Sequence, residues 1–268
     1  MGFCFLIDSF LHLMNLRRLA ERMSSGVVLR RRLPSTFGRL PIYVTPEAGL
    51  RYWGAMSRID PVLYGMADEL VEPGSVVWDV GANVGLFSFC AAARSGPSGF
   101  VLSVEPDLWL AHLMDRSSQA LPRLRCSDVQ VLCASMSESN RVSSLEIAAR
   151  ARASNHLVGT VGSTQASGVR YIQPTVSLTL DFLMDYFPAP SVLKIDVETH
   201  EVNVLRGATR LLREVRPKIW CEVSHENAME TTELLHGVGY KLLGAETRPH
   251  PPIDRAWFHT LAVPRDCP

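Results

Sequence analysis

The stretch Val76-Val77-Trp78-Asp79-Val80-Gly81-Ala82-Asn83-Val84-Gly85 decides how this chain is read. Its first five residues are apolar apart from Asp79, a pattern that suits a strand buried on both faces of a parallel sheet. Gly81 and Gly85 follow, and glycine there permits a tight turn and a close approach of backbone to a ligand. The helix predicted from Gly85 to Arg94 starts at that turn and offers it free N–H groups.

Working outward, the turn cluster Gly96-Pro97-Ser98-Gly99 leads into a predicted second strand, Phe100 to Val104, and then a helix from Leu108 to Ala120. A third strand is expected at Val129 to Cys133, a fourth at Val192 to Val197 and a fifth at Lys218 to Val223. A sixth is expected at Tyr240 to Leu243 and a last at His259 to Val263. Helices are predicted at Val62 to Val71, Leu178 to Phe187, Thr231 to Gly237, and where Val202, Leu205, Ala208 and Leu212 recur at helical spacing. Pro41 to Thr45 and Ser143 to Ile147 read as short additional strands, and Arg150 to Gly168 as a polar loop. Alternation of this kind gives an α/β fold: a mostly parallel seven-stranded sheet with helices on both faces. Residues 42–268 form the predicted domain, and residues 1–41 a short helical extension.

Glycine turns after a buried strand also bind dinucleotides, so the ligand is decided by what surrounds them. The spacing is GxxxG, which leaves the GxGxxG fingerprint incomplete. Asp79 precedes the turn, where a carboxylate repels a pyrophosphate but can bind an ammonium, directly or through water. S-adenosylmethionine carries an ammonium and a sulfonium and no phosphate, which makes it the expected cofactor. Asp79, Gly81, Asn83 and Gly85 would form the first part of its site. Glu105, at the tip of the second strand in Ser103-Val104-Glu105-Pro106, stands where folds of this type bind two ribose hydroxyls. Ala134 and Ser135, after the third strand, are expected to line the adenine pocket.

The segments DVGANVGLFS (79–88), SVEPD (103–107), LTLDFL (178–183), LKIDVETHEVNVLRGA (193–208) and CEVSHEN (221–227) occur in the same order as in the FkbM family of methyltransferases, and the chain resembles that family from about Ile42 to Pro264. The resemblance implies a class I, Rossmann-like methyltransferase fold. It also implies O-methylation of a hydroxyl on a sugar or small secondary metabolite, so that the expected partner is a small molecule or glycan. The chain departs from the family pattern at Thr199, where similar proteins have glycine. A side chain there is expected to narrow the space beside the fourth strand.

Asp196, Glu198 and His200 follow the fourth strand, and Glu222 ends the fifth; ligands of open α/β sheets bind beyond these strand ends. Such crowded ionisable groups are costly unless paired or functional. A hydroxyl attacking a methyl group must lose a proton. His200 is one candidate base, and Asp196 or Glu198 another. Catalysis by positioning, with these residues as orienting or capping groups, is the third reading. Asp196, Glu198, Glu222 and His225 have the chemistry of a divalent-cation site. Hydrogen bonding to a polyhydroxy substrate accounts for them more simply, so no metal is expected. Asn155 and His156 lie in the polar loop and read equally as residues that close over the site or as solvated linker residues. Two other functions compete: an NAD-dependent oxidoreductase on a similar sheet, and a non-catalytic ligand-binding module.

The 268 residues carry 27 basic and 27 acidic side chains, so net charge points to no nucleic-acid partner. Arginines nevertheless gather before the domain, at Arg17, Arg18, Arg22, Arg30, Arg31, Arg32 and Arg39. The six cysteines form neither CxxC pairs nor zinc-finger spacing, and read as reduced core thiols of a cytoplasmic protein. The apolar stretch from Gly2 to Met14 is broken by Asp8 and His12, and falls short of the roughly 18 residues a membrane span needs. Its helical spacing fits packing against protein, with membrane-surface contact as the weaker alternative.

Overall fold

The computed structural model describes residues 20–265 other than 22, 123, 150, 151 and 159–167. The expected helix at Gly2 to Met14 lies outside them. Among the described residues the strands are β1 (Leu29–Arg32), β2 (Pro41–Val44), β3 (Val76–Val80), β4 (Phe100–Val104), β5 (Asp128–Leu132), β6 (Ser135–Met136), β7 (Arg141–Ala148), β8 (His156–Leu157), β9 (Val169–Leu178), β10 (Val192–Ile195), β11 (Lys218–Glu222), β12 (Tyr240–Gly244) and β13 (His259–Pro264). The α-helices are α1 (Pro61–Leu70), α2 (Leu86–Ser95), α3 (Leu108–Gln119), α4 (Leu180–Leu183), α5 (Glu201–Arg206) and α6 (Ala228–Gly237).

The main sheet has seven strands in the order β12-β13-β11-β10-β3-β4-β5. All run parallel except β13, which is antiparallel to both neighbours. Alternation along the strands sends Val77, Val101 and Val129 into one apolar layer with α1, α2 and α3. Trp78, Val80, Leu102, Val104, Leu193 and Ile195 enter the other layer, with α5 and α6. This is the doubly wound α/β architecture with a mostly parallel seven-stranded sheet that was expected from the sequence. The strand order reverses between β3 and β10, and a crevice opens at such a switch point.

A four-stranded sheet of order β6-β9-β7-β8 stands beside this frame. The sequence pattern located β7 and missed β9, which runs into the stretch read as a long helix; only Leu180–Leu183 is α-helical there. Pro174 obscures β9, because proline removes a ladder donor. In the fold it pairs with Ser144 of β7, while β6 meets β9 only at Ser177 and Leu178, leaving the proline an open edge. The described part of the polar loop holds a short 3-10 turn, Arg152–Ser154, and then β8.

Residues 29–40, assigned above to the extension, instead supply strand β1 of the β1–β2 hairpin and bury Leu33, Phe37 and Leu40 in the main core. The hairpin is fastened to α3: the Tyr43 backbone N–H donates to Ser117 Oγ at 2.8 Å, and the Arg116 guanidinium lies 4.3 Å from the Tyr43 ring centre. A chain shortened to begin at Arg39 loses Leu33 and Phe37, at roughly 1.5–3 kcal/mol per buried side chain. That is a large part of a typical 5–15 kcal/mol total. Such a chain is expected to melt far lower and to aggregate, and a melting temperature within 2 °C or so of the full chain would refute this.

Several of the quoted motifs prove to be ties between elements. Asp181 of LTLDFL accepts the backbone N–H groups of Arg210 and Leu211, both at 2.9 Å, and so starts the turn Leu211–Val215. Glu201 is buried and accepts from Asn227 Nδ2 at 2.6 Å, joining KIDVETHE to CEVSHEN. Cys90, Cys126 and Cys221 are buried and Cys133 half-buried, all unpaired. No helix among the described residues is long and apolar enough to cross a membrane.

Candidate active site

Beyond the carboxyl ends of β4, β3, β10 and β11 lies a cleft of about 1070 Å³, counted out to open solvent. One end of the cleft lies at β4. Glu105 there is almost fully buried; its Oε2 accepts the Asn83 N–H at 2.8 Å and its Oε1 the Asp107 N–H at 2.9 Å. Burial pushes its carboxyl up to about 8, Asp107 adding to the effect against the two N–H donors. Each oxygen retains a lone pair for a further donor. Ala134 and Ser135 line the same end, together with the apolar side chains of Leu110, Met136, Leu145 and Leu157.

Gly81 lies under the middle of the cleft at φ 76°. A Cβ on it would come within 1.8 Å of the Asp196 carbonyl oxygen, so only glycine lets β3 pass this close to β10. Asn83 follows, also left-handed, and its buried Oδ1 has no hydrogen-bond partner. A buried acceptor without a partner at a cleft wall suits a ligand that brings a donor.

Two predicted cofactor residues do not face the cleft. Asp79 is fully buried beneath it. Lys194 lies directly across the β3–β10 register from Asp79, with Nζ 3.2 Å from Asp79 Oδ1, and Ser88 Oγ donates to Asp79 Oδ2 at 2.6 Å. This corrects the direct binding role expected of Asp79, because its charge is already met by an internal ammonium. It supports the turn from below. Gly85, at φ 81°, begins α2, where a Cβ would strike the Phe89 ring at 2.7 Å and Met114 Sδ at 3.1 Å. Its role is helix packing.

The β10 and β11 end is acidic. Asp196, Glu198 and Glu222 all line it, and Lys194 Nζ reaches Asp196 Oδ2 at 3.2 Å and the Gly81 carbonyl at 3.3 Å. Burial alone would lower the Lys194 ammonium, yet Asp196, Asp79 and Glu222 together hold it above its ordinary value. Burial raises Glu198 to about 7, with Asp196 and Glu201 adding to it. Glu222 is raised by burial and by Asp196, against the pull of Lys194. His200 also lines the cleft but answers to other neighbours. Its Nε2 is 3.2 Å from Ser137 Oγ, its Nδ1 is buried without a partner, and burial, then Arg141, lowers its basicity. The structure thus brings three of the four predicted catalytic residues together and sets His200 apart.

His225 is exposed, and Asn227 turns away to donate to the Thr199 carbonyl and Glu201. Among the described residues no group of three or more His, Cys, Asp or Glu is placed to hold a metal ion. Thr199 does not line the cleft. Its φ of 59° is left-handed, a conformation that glycine adopts without strain, and contrary to expectation its side chain does not narrow the site.

Two neighbours had no sequence signal. Arg51, in a 3-10 turn after β2, and Asp60, which caps α1 by accepting the Leu63 N–H, both line the cleft and pair at 3.1 Å. Only the tertiary path of the segment before α1 brings them there. On the far wall Asn155 and His156 line the cleft, and so does Arg152, which the sequence did not single out. Arg152 is buried between Glu47 Oε2 at 3.1 Å and Asp107 Oδ2 at 2.6 Å, and Asn155 Nδ2 donates to the same Asp107 oxygen at 2.7 Å. Arg170 of β9 adds a third link, to Glu47 at 2.7 Å. This wall is bolted to α3 and to the segment after β2.

The residues present therefore fit S-adenosylmethionine: an acid for a ribose diol, apolar walls for a purine, a bare glycine turn and an unpaired Asn83 acceptor. Residues 79–242, more than half of the chain, match the family model described as methyltransferase FkbM domain. A hexuronic acid methyltransferase from Haloferax volcanii, AglP, is 29% identical over 151 residues, covering 55% of each protein, so the chain matches about half the length of that curated relative. An FkbM methyltransferase structure from Methylobacillus flagellatus aligns at TM-score 0.44 and 16% identity, over 75% of this chain and 50% of that one. An S-adenosylmethionine-dependent O-methyltransferase from Thermotoga maritima aligns at TM-score 0.45 and 14% identity, over 77% and 65%. The chain belongs to the FkbM family of S-adenosylmethionine-dependent methyltransferases.

Proposed function

We propose that the chain methylates a hydroxyl oxygen of a sugar or similar polyhydroxy acceptor. The observation that carries this reading is the meeting of Asp196, Glu198 and Glu222 at the end of the cleft opposite Glu105. Carboxyl groups raised toward neutrality can both accept a proton from a hydroxyl and hydrogen-bond its neighbours. The relative named for hexuronic acid, a sugar, supports the same class of acceptor.

S-adenosylmethionine supplies an electrophilic methyl group on a positively charged sulfur when bound. Glu105 would accept from both ribose hydroxyls, and the backbone at Gly81 and Asn83 would hold the methionine part. Asp196, fixed by Lys194, would orient the acceptor, and Glu198 or Glu222 would take the hydroxyl proton as the oxygen attacks in line. His200 would shape the wall beside Ser137.

Incubation with methyl-labelled S-adenosylmethionine and neutral glycosides, followed by mass spectrometry and linkage analysis, tests the reaction. Label on nitrogen or carbon would defeat the proposal. S-adenosylhomocysteine is expected to bind in the micromolar range, roughly −7 to −8 kcal/mol. Glu105→Ala should weaken it by about 1–3 kcal/mol, because the hydrogen bonds of the Glu105 carboxyl to the ribose hydroxyls are lost. Unchanged affinity by calorimetry would remove Glu105 from the ribose site.

A further inference from the structure

We propose that the acceptor end of the cleft selects a polyol without negative charge, uncharged or amine-bearing, and rejects sugar phosphates and uronates. This contrasts with the relative named for a hexuronic acid, which supports a sugar acceptor but not its charge. The inference rests on the sugar reading above and adds to it the sign of the acceptor's charge.

The ground is the pairing of the arginine and lysine side chains that reach the cleft among the described residues. Arg51 is engaged by Asp60 at 3.1 Å. Arg152 is taken by Glu47 and Asp107. Lys194 is shared between Asp79 and Asp196, at 3.2 Å from each. Each cation is thus matched or outnumbered by carboxylates within the protein. Glu198 makes no ion pair with a described residue, and Glu222 has only His259 Nδ1 at 3.8 Å, a ring that burial keeps less basic than usual. The methyl donor contributes one net positive charge, from a sulfonium, an ammonium and a carboxylate, and so offsets one of these two acids at most.

An acceptor carboxylate or phosphate entering here would meet like charge in a partly desolvated cleft where, among the described residues, each guanidinium or ammonium already faces a carboxylate. Repulsion of this kind is an effective means of excluding a ligand of the wrong sign. Hydroxyl and ammonium groups, by contrast, donate to carboxylates and relieve their burial. The upward displacement of Glu198 and Glu222 agrees with an excess of negative charge.

The test uses the full chain loaded with S-adenosylhomocysteine, titrated at pH 8 with methyl glucoside, methyl glucosaminide and methyl glucuronide and followed by saturation-transfer NMR. The glucoside and glucosaminide are expected to bind, and the glucuronide to bind about tenfold more weakly than the glucoside. At pH 6 that gap should narrow, since Glu198, facing Asp196 and Glu201, and Glu222, facing Asp196, Lys194, Asp60, Glu198 and His259, then carry more protons. A glucuronide bound as tightly as the glucoside at pH 8 overturns the charge selection and leaves the sugar reading intact. Failure of all three sugars to bind a protein that holds S-adenosylhomocysteine removes the sugar reading, and this inference falls with it.

Discussion

Replacing Lys194 by alanine is expected to destabilise the protein by about 3–5 kcal/mol, the usual result of removing one partner from a buried ion pair. Lys194 is buried, and it binds Asp79, Asp196 and the Gly81 carbonyl at 3.2–3.3 Å. Without it, the fully buried Asp79 keeps only the Ser88 hydroxyl as a hydrogen-bonding side chain. A loss of that size lowers the melting temperature by about 6–20 °C. The cause can be isolated with Asp79→Asn in the same chain: with no charge left to strand, Lys194→Met combined with Asp79→Asn should recover much of the loss. If Lys194→Ala melts within about 2 °C of the parent, the pair is not the support of the turn. Cofactor affinity should fall with stability in the single variant, because Lys194 also anchors the Gly81 carbonyl.

Changing Glu198 and Glu222 together to glutamine is expected to reduce turnover by about 10²–10⁴-fold, the usual contribution of a general base. Affinity for S-adenosylhomocysteine should stay within a few-fold, because Glu105 and Ala134 lie at the other end of the cleft. The two single variants then assign the proton to one carboxylate. The pH profile has a definite sign. A base works deprotonated, so the rate should rise with pH through the range near 7, where burial and Asp196 place Glu198. A histidine base would instead act through a group lowered below its usual range, giving a rate already flat at neutrality. His200→Ala is expected to lose less than about tenfold. Loss of turnover in His200→Ala, with the double glutamine variant active, would assign proton transfer to the imidazole.

The sequence by itself determined the frame. Buried parallel strands must be continuous apolar runs, so Val76–Val80, Phe100–Val104, Val192–Ile195 and Lys218–Glu222 stood out, and the helices between them announced themselves by spacing and by the turn residues at their ends. Site residues at strand tips were legible for the same reason: topology alone carries Gly81, Glu105, Asp196 and Glu222 to one edge of the sheet. The tertiary structure decided which charges face the ligand. Asp79 looks like a binding residue until the β3–β10 register sets Lys194 opposite it, and a pairing between strands far apart in the chain leaves no local mark. Arg51, Asp60 and Arg152 reach the cleft only through the packing of segments without helical or strand periodicity. Strand β9, broken in pattern by Pro174, forms because β7 supplies its ladder. Local pattern encodes backbone hydrogen bonding and burial; the pairing of charges depends on distances that only the assembled fold sets.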